Sequence, residues 1–367
     1  MKDSAICYTE LLEELTAGRK AVMITIFEQD TKNHPHKFLL SEEMLRNQHL
    51  CSDLDKDVYQ LAQQALQTST LLFNETTDGA KVLIEPHFPE PRLIILGGGH
   101  IAQPLAEFGA KTGFSVTVVD DRPSFANQER FPLARKVLCE SFSRCFTLLD
   151  LNESAFVAII TRGHRHDLDC LRQVLACKTA YVGMIGSRRR VRSAWEQLLA
   201  EGYTQDQLNQ VNSPIGLNIG AISPDEIAVS IIAQVISTRR LGCQKTENFT
   251  GNRLEFDSSV LAELSATSND RKAIVTVIAA KGSVPRKAGA KMIVWADGKI
   301  VGSIGGGCSE SEIITFARDV IRDGKYRLRR IDMTGAMAEE EGMVCGGIMD
   351  VVIEPYAVGS VNNGVDR

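Results

Sequence analysis

The sequence predicts an α/β protein: a Rossmann-type parallel sheet at the centre, flanked by two smaller α+β domains, the N-terminal one a degenerate copy of the C-terminal one. Three observations predict it. Residues 92–121, RLIILGGGHIAQPLAEFGAKTGFSVTVVDD, run from apolar strand through glycine turn and helix to a second apolar strand ending in acid. Apolar and amphipathic stretches then alternate to about residue 240, the order that makes a parallel sheet covered on both faces. Outside that core, the two ends of the chain repeat one order of elements, and each finishes on a [VI]-I-E-P strand.

Taken in order, residues 8–16 read as a helix and 21–27 as a strand, followed by a polar stretch rich in Asn, His and Lys. A helix over 55–66 and strands over 69–73 and 80–86 complete a first domain, 1–90. The second domain, 91–241, opens with a strand over 93–96, the turn Gly97-Gly98-Gly99, a helix from 101 to 109 and a strand over 115–119. A loop and short helix (122–135) and a short strand (136–140) follow. The apolar run AFVAIIT (155–161) is a strand, 162–167 a loop, 168–176 a helix, 179–185 a strand and 191–201 a helix. After a loop at 213–220, Pro224 opens a helix to about 240, a good position for a first-turn proline. Residues 242–271 read as a polar linker with a short helix near Val260. The last domain, 272–367, has strands over 273–280, 290–295 and 299–303, a helix over 309–322, a strand over 327–332, an irregular glycine loop and a strand over 348–355.

The echo between the ends is residue-level. AVMITIFEQD, KFLLSEE, a helix, LLFNET and KVLIEPHFP face AIVTVIAAKG, KMIVWADG, a helix, YRLRRIDM and DVVIEPYAV. The first copy lacks the glycine and cysteine loops of the second, so it keeps the packing and loses the chemistry.

Composition bounds the function. At 367 residues the chain is too long for one typical core. A net charge of −5 without a large basic block argues against bulk nucleic-acid binding. The start MKDSAICYTELLEEL is acidic and amphipathic, unlike a signal peptide, and no apolar run approaches the roughly 18 residues of a membrane helix. These point to a cytoplasmic protein. Nine cysteines, an odd number without C-x-x-C pairs, argue against a disulfide framework or structural zinc.

Gly97, Gly99 and Ala102 form a G-x-G-x-x-A dinucleotide-binding fingerprint. Gly97 permits a tight turn, Gly99 lets a pyrophosphate approach the backbone, and Ala102 allows close helix–sheet packing. The helix N-terminus favours phosphate. Asp120, at the end of the second strand, can bond a ribose, and His100 places a titratable group where phosphates would lie. At the carboxyl end of the 155–161 strand, His164, His166 and Asp167 are candidates for acid–base work or metal ligation, with a hydrogen-bonding structural role equally open. Ser187 and Arg188, with Arg189 and Arg190, follow the next strand at a helix start and suit phosphate.

In the last domain Gly305, Gly306, Gly307, Cys308 and Glu310 follow a strand and open a helix. A thiol there is a better nucleophile or metal ligand, and the glycines expose N–H groups that cradle an anion. Cys345 sits beside Gly346 and Gly347. Arg286, in GSVPRKAG (282–289), supplies a cation. The candidate catalytic residues are therefore Cys308, Cys345 and His166.

Jointly these stretches resemble the XdhC/CoxI family, maturation factors of xanthine dehydrogenase and related molybdenum hydroxylases. The matching motifs are GGGHIAQPLA, VVDDRP (118–123), TRGHRHD (161–167), GMIGSRRR (183–190), PIGLNIGAISPDEIAVSI (214–231), GSVPRKAGAKMIV (282–294), DGKIVGSIGGGCSE (297–310) and VCGG (344–347). The resemblance implies a cofactor chaperone more than a catalyst. It would bind molybdenum cofactor (molybdopterin), with Cys308 as the candidate molybdenum contact, protect it during sulfuration by a cysteine desulfurase, and deliver it to the hydroxylase. A homodimer is expected, and charge and hydropathy argue against a nucleic-acid or membrane partner. The Rossmann turn remains open to NAD(P) or a pterin dinucleotide, and an NAD(P)-dependent oxidoreductase is the alternative reading. One departure from the family pattern is order: the glycine–cysteine domain usually precedes the Rossmann domain, and here the full copy follows it. The C-terminal domain is then expected to pack on a Rossmann domain across a homodimer, or to pair with the N-terminal copy.

Overall fold

The computed structural model describes residues 4–28, 35–47, 54–241, 258–266, 270–305, 308–333 and 347–356. The chain forms two units: Met1–Pro89 joined by Gly251–Arg367, and Glu90–Thr250.

The first unit begins with α1 (Ser4–Thr16), whose Tyr8, Leu11 and Leu15 recur at helical spacing and are buried. Then come β1 (Ala21–Phe27), β2 (His36–Ser41), α2 (Glu42–Arg46), α3 (Lys56–Thr68), β3 (Leu72–Glu75) and β4 (Lys81–His87). They make an antiparallel sheet of order β2-β1-β4-β3. Part of the stretch expected to be merely polar is thus β2, paired along β1 from Ser41 to His36. Alternation decides the faces: Val22, Ile24, Val82 and Ile84 pack on Val58, Tyr59, Ala62 and Ala65 of α3. α3 runs two residues past its predicted end and stops at Ser69, which takes a left-handed φ of 55°. This pushes the following strand from 69–73 to Leu72–Glu75.

The second unit contains β5 (Arg92–Leu96), α4 (Ala102–Lys111), β6 (Ser115–Asp120), β7 (Lys136–Cys139), β8 (Ala155–Ile159), α5 (His164–Leu175), β9 (Tyr181–Met184), α6 (Arg188–Ala200), α7 (Gln205–Asn209), β10 (Val211–Asn212) and α8 (Pro224–Leu241). Its six parallel strands have the order β10-β9-β8-β5-β6-β7, with separate apolar cores on the two faces. Three expectations change here. Residues 162–167 are not all loop: α5 starts at His164, because Gly163 adopts an extended φ of −161° as N-cap and Asp167 lies in the first turn. α6 starts at Arg188, where the Ser187 hydroxyl accepts from Arg190 N at 3.4 Å. Residues 122–135 form turns with no helix. The short α7 and β10, which close one edge of the sheet, escape the sequence reading because β10 has only 2 residues.

The chain then returns to the first unit with α9 (Ser258–Ser265), β11 (Lys272–Gly282), β12 (Lys291–Trp295), β13 (Ile300–Gly302), α10 (Cys308–Asp323), β14 (Arg327–Asp332) and β15 (Gly347–Pro355). The sheet order is β13-β12-β11-β15-β14. Apart from the added edge strand β13, it matches that of the N-terminal sheet. Ile313, Ala317 and Val320 of α10 cover one face, beside Val275 and Val351. α9 is the short helix expected near Val260, and its Val260, Leu261 and Leu264 are buried with Tyr8, Leu11 and Leu15 of α1. Among the described residues no helix is long and apolar enough to cross a membrane.

Candidate functional sites

The strand order of the parallel sheet places its switch point between β5 and β8, where open α/β sheets bind ligands outside the carboxyl ends. The turn after β5 fills one side. Gly97 has φ +115°, and a side chain there would collide with the Ile160 carbonyl; one at Gly98 would meet the Phe125 carbonyl. Only Gly99 faces open space, and His100 beside it is exposed.

Asp120 does not wait for a ligand. Its Oδ2 accepts from Gly98 N at 2.8 Å. Arg122 donates from its backbone N (3.0 Å) and Nε (2.8 Å) to Oδ1, and from Nη2 (2.9 Å) to Oδ2. The carboxylate is 2% exposed. Burial pushes its pKa up, but Arg122 and the Gly98 N–H push it down further, so it is held below the usual carboxylate range. Arg122 lies over the Phe125 ring at 3.7 Å, with Arg130 5.1 Å from the same ring. Arg130 also donates to the Gly98 and Gly99 carbonyls at 3.1 and 3.3 Å. Arg122, Phe125 and Arg130 are the residues the sequence reading missed. Their signal was the Arg-Pro that directly follows the acid.

Across the switch point, Thr161 Oγ1 donates to Asp167 Oδ1 at 2.6 Å in a buried contact. Arg162 bridges back to Asp121 at 2.9 Å. Asp167 is thus drawn into the fold, while the His166 ring sits 5.4 Å from Phe142. Of His164 only the backbone lies among the described features. Ser187 and Arg188 are exposed at the start of α6, after the neighbouring strand β9. Arginines at a helix N-terminus oppose the macrodipole by some 0.3–1 kcal/mol each, which leaves local positive charge at this carboxyl edge.

The second cluster lies in the other unit. Gly305 (φ +142°) packs against Pro285, the residue before Arg286. Gly347 pairs with Gly282 and abuts Val284 and the Ser283 carbonyl. The 282–286 turn therefore meets Gly305 and the first residue of β15, Gly347, at one end of the β11–β15 sheet. Glu310 fastens Ser303–Gly305: its Oε1 accepts from Ser303 Oγ (2.7 Å), Ile304 N (3.0 Å) and Gly305 N (3.2 Å). Ser303 Oγ accepts in addition from Gly305 N at 3.1 Å. Gly306, Gly307 and Cys345 lie outside the described residues. Cys308 is described only as the first residue of α10. Among the described residues no group of three or more His, Cys, Asp or Glu is placed to hold a metal ion.

Two family models match parts of the chain. A model described as the XdhC Rossmann domain matches residues 93–235, and one described as the XdhC and CoxI family matches 265–332. The uncharacterized protein YqeB of Escherichia coli (strain K12) is 33% identical over 159 residues, 43% of this chain and 29% of that protein. A Bacillus subtilis (strain 168) protein, described as a probable xanthine dehydrogenase subunit, is 32% identical over 168 residues, 46% of this chain and 48% of that protein. The molybdenum cofactor insertion chaperone PaoD of E. coli K12 is 23% identical over 151 residues, 41% of each chain. The matched stretch thus spans less than half the length of each of these relatives.

Proposed function

Because the chain belongs to the XdhC/CoxI family, we propose that it is an accessory protein of molybdenum hydroxylase maturation. It binds molybdenum cofactor, holds it during sulfuration by a cysteine desulfurase, and passes it to xanthine dehydrogenase or a related hydroxylase. The observation that supports this reading is the meeting of the Gly282–Arg286 turn with Gly305 and with Gly347, the first residue of β15. The residue types suit the group. Cys308 opens a 16-residue helix, where the macrodipole favours a thiolate, and a thiolate is the soft ligand that suits such a metal. Arg286 supplies a planar cation for a pterin phosphate. When bound, the cofactor supplies the oxo–sulfido chemistry that the client enzyme uses. The chain's own part is to hold it: Glu310 keeps the Ser303–Gly305 backbone in place, Arg286 meets the anionic end, and the glycine loops let the ligand approach.

The competing dehydrogenase reading asks Asp120 to bond a ribose, yet its carboxylate is buried and bonded to Gly98 and Arg122. Incubating the purified protein with released molybdenum cofactor tests the proposal. Stoichiometric retention that Cys308→Ala abolishes is the expected result. Tight NAD(P) binding with hydride transfer and no pterin retention would overturn it.

A further inference from the structure

The two halves of the first unit share a register as well as a strand order. In the N-terminal half, Thr25 faces Lys37 across β1 and β2, and Met23 faces Glu85 across β1 and β4. In the C-terminal half, Thr276 faces Lys291 across β11 and β12, and Ile274 faces Glu354 across β11 and β15. Threonine, lysine and glutamate therefore occupy equivalent positions in both sheets. Each lysine donates to the threonine of its own half, Lys37 to Thr25 at 2.9 Å and Lys291 to Thr276 at 2.8 Å. Each also reaches the glutamate of the other half, Lys37 to Glu354 at 2.8 Å and Lys291 to Glu85 at 2.7 Å. The most exposed of these four ion-pair side chains is 10% accessible.

The apolar contacts follow the same exchange. Met23 and Leu39 share one cluster with their equivalents Ile274 and Ile293. Phe27, Phe73 and Leu83 share another with Ile278, Leu328 and Val352. Residue i meeting j on the partner while j meets i is the signature of a two-fold, isologous interface, which unrelated domains in contact have no reason to produce. The halves differ where ligand chemistry was expected. α10 opens directly after the Gly305 loop, whereas its counterpart α3 opens on Asp55, whose Oδ1 accepts from Asp57 N at 2.7 Å and Val58 N at 3.3 Å. The anion-attracting end of α3 is filled by the chain itself.

We propose that residues 4–87 are a built-in second copy of the C-terminal half, fused in one chain, and that they occupy the face through which that half would pair with another copy of itself. The partner of this surface is thus internal. One glycine–cysteine loop is presented per assembled pair, and no second chain docks on the β1/β11 faces.

Charge exchange in the full-length chain tests this. Lys37→Glu or Glu354→Lys alone should lower the folded-to-unfolded ratio by roughly a hundredfold or more, because each leaves a buried charge unpaired. The pair Lys37→Glu/Glu354→Lys should recover most of that loss, as should Lys291→Glu/Glu85→Lys. The within-half pair Lys37→Glu/Glu85→Lys should recover none. Rescue within a half, or no rescue across halves, overturns the proposal. Should the reversals fail to fold, Lys37→Met and Lys291→Met give the second measurement. They should lower the unfolding midpoint by like amounts and leave the sedimentation coefficient unchanged. A chain dimer that either variant splits, or a midpoint that only one of them moves, overturns it.

Discussion

Gly98 donates its backbone N–H to the Asp120 carboxylate at 2.8 Å, so the acid at the end of β6 braces the glycine turn at the end of β5. Replacing Asp120 by Ala strands that N–H and the Arg122 guanidinium, and should cost about 2–3 kcal/mol of the second unit's stability. The native carboxyl binds a proton less readily than the unfolded one. Its contribution is therefore complete above about pH 4 and is lost as the pH falls through the depressed native value. Urea unfolding from neutral to acid pH checks this: Asp120→Asn should show a smaller acid-side loss than the wild type.

The Glu310 carboxylate organises a loop rather than meeting a ligand. Glu310→Gln keeps an oxygen for Ile304 N, Gly305 N and Ser303 and should retain most cofactor binding. Glu310→Ala removes all three bonds and should weaken retention about tenfold or more, corresponding to at least ~1.4 kcal/mol. The alkylation rate of Cys308, followed by peptide mass, should shift in Glu310→Ala and recover in Glu310→Gln. Equal behaviour of the two variants would show that the bonds do not position the loop.

His87 follows the Glu85-Pro86 pair on β4, and its Nε2 is buried without a hydrogen-bond partner. Burial pushes its pKa down to about 4; Glu85 pulls the other way, and Lys291 adds to the lowering. The folded state thus keeps the ring neutral. The resulting stability is complete above about pH 6.5 and is lost as the pH falls through 4, with a magnitude on the order of 3 kcal/mol. Denaturant midpoints at pH 7 and pH 5 should separate in the wild type and draw together in His87→Gln.

Thiol labelling of the native chain should divide in two the cysteines whose side chains are described. Cys139 and Cys177 are exposed, while Cys7, Cys145 and Cys170 are buried. Burial pushes the Cys145 thiol up to about 12 and raises Cys170 as well, so neither offers a thiolate at neutral pH. Rapid labelling of Cys145 or Cys170 without denaturant would contradict the burial of both in one apolar core of the second unit.

Much of this architecture was legible because it is local. The strand–turn–helix–strand–acid run at 92–121 needs only neighbours to be read, and it folds as β5, the turn, α4 and β6. The order of elements at the two chain ends was legible for the same reason. Partnership was not. Nothing at Asp120 announces that its carboxylate will be taken by Gly98 and Arg122. Lys37 follows a polar stretch and nothing local marks its partner, yet it is buried against Glu354, 317 positions away. The loop reading of 162–167 failed over one residue type: Gly163 looks like a helix breaker and acts as a cap.

The first unit is assembled from both ends of the chain, with the whole parallel sheet lying between them in sequence. On the ribosome, β1 and β4 emerge long before β11 and β15. At typical synthesis rates the inner faces of Met23, Phe27 and Leu83 stay without their counterparts for on the order of tens of seconds. The nascent N-terminal half therefore leaves that apolar face uncovered while the parallel sheet is synthesised. A premature stop ahead of Val352 would leave intact the codons for β1 and β4 and still deprive both strands of the surface that completes them.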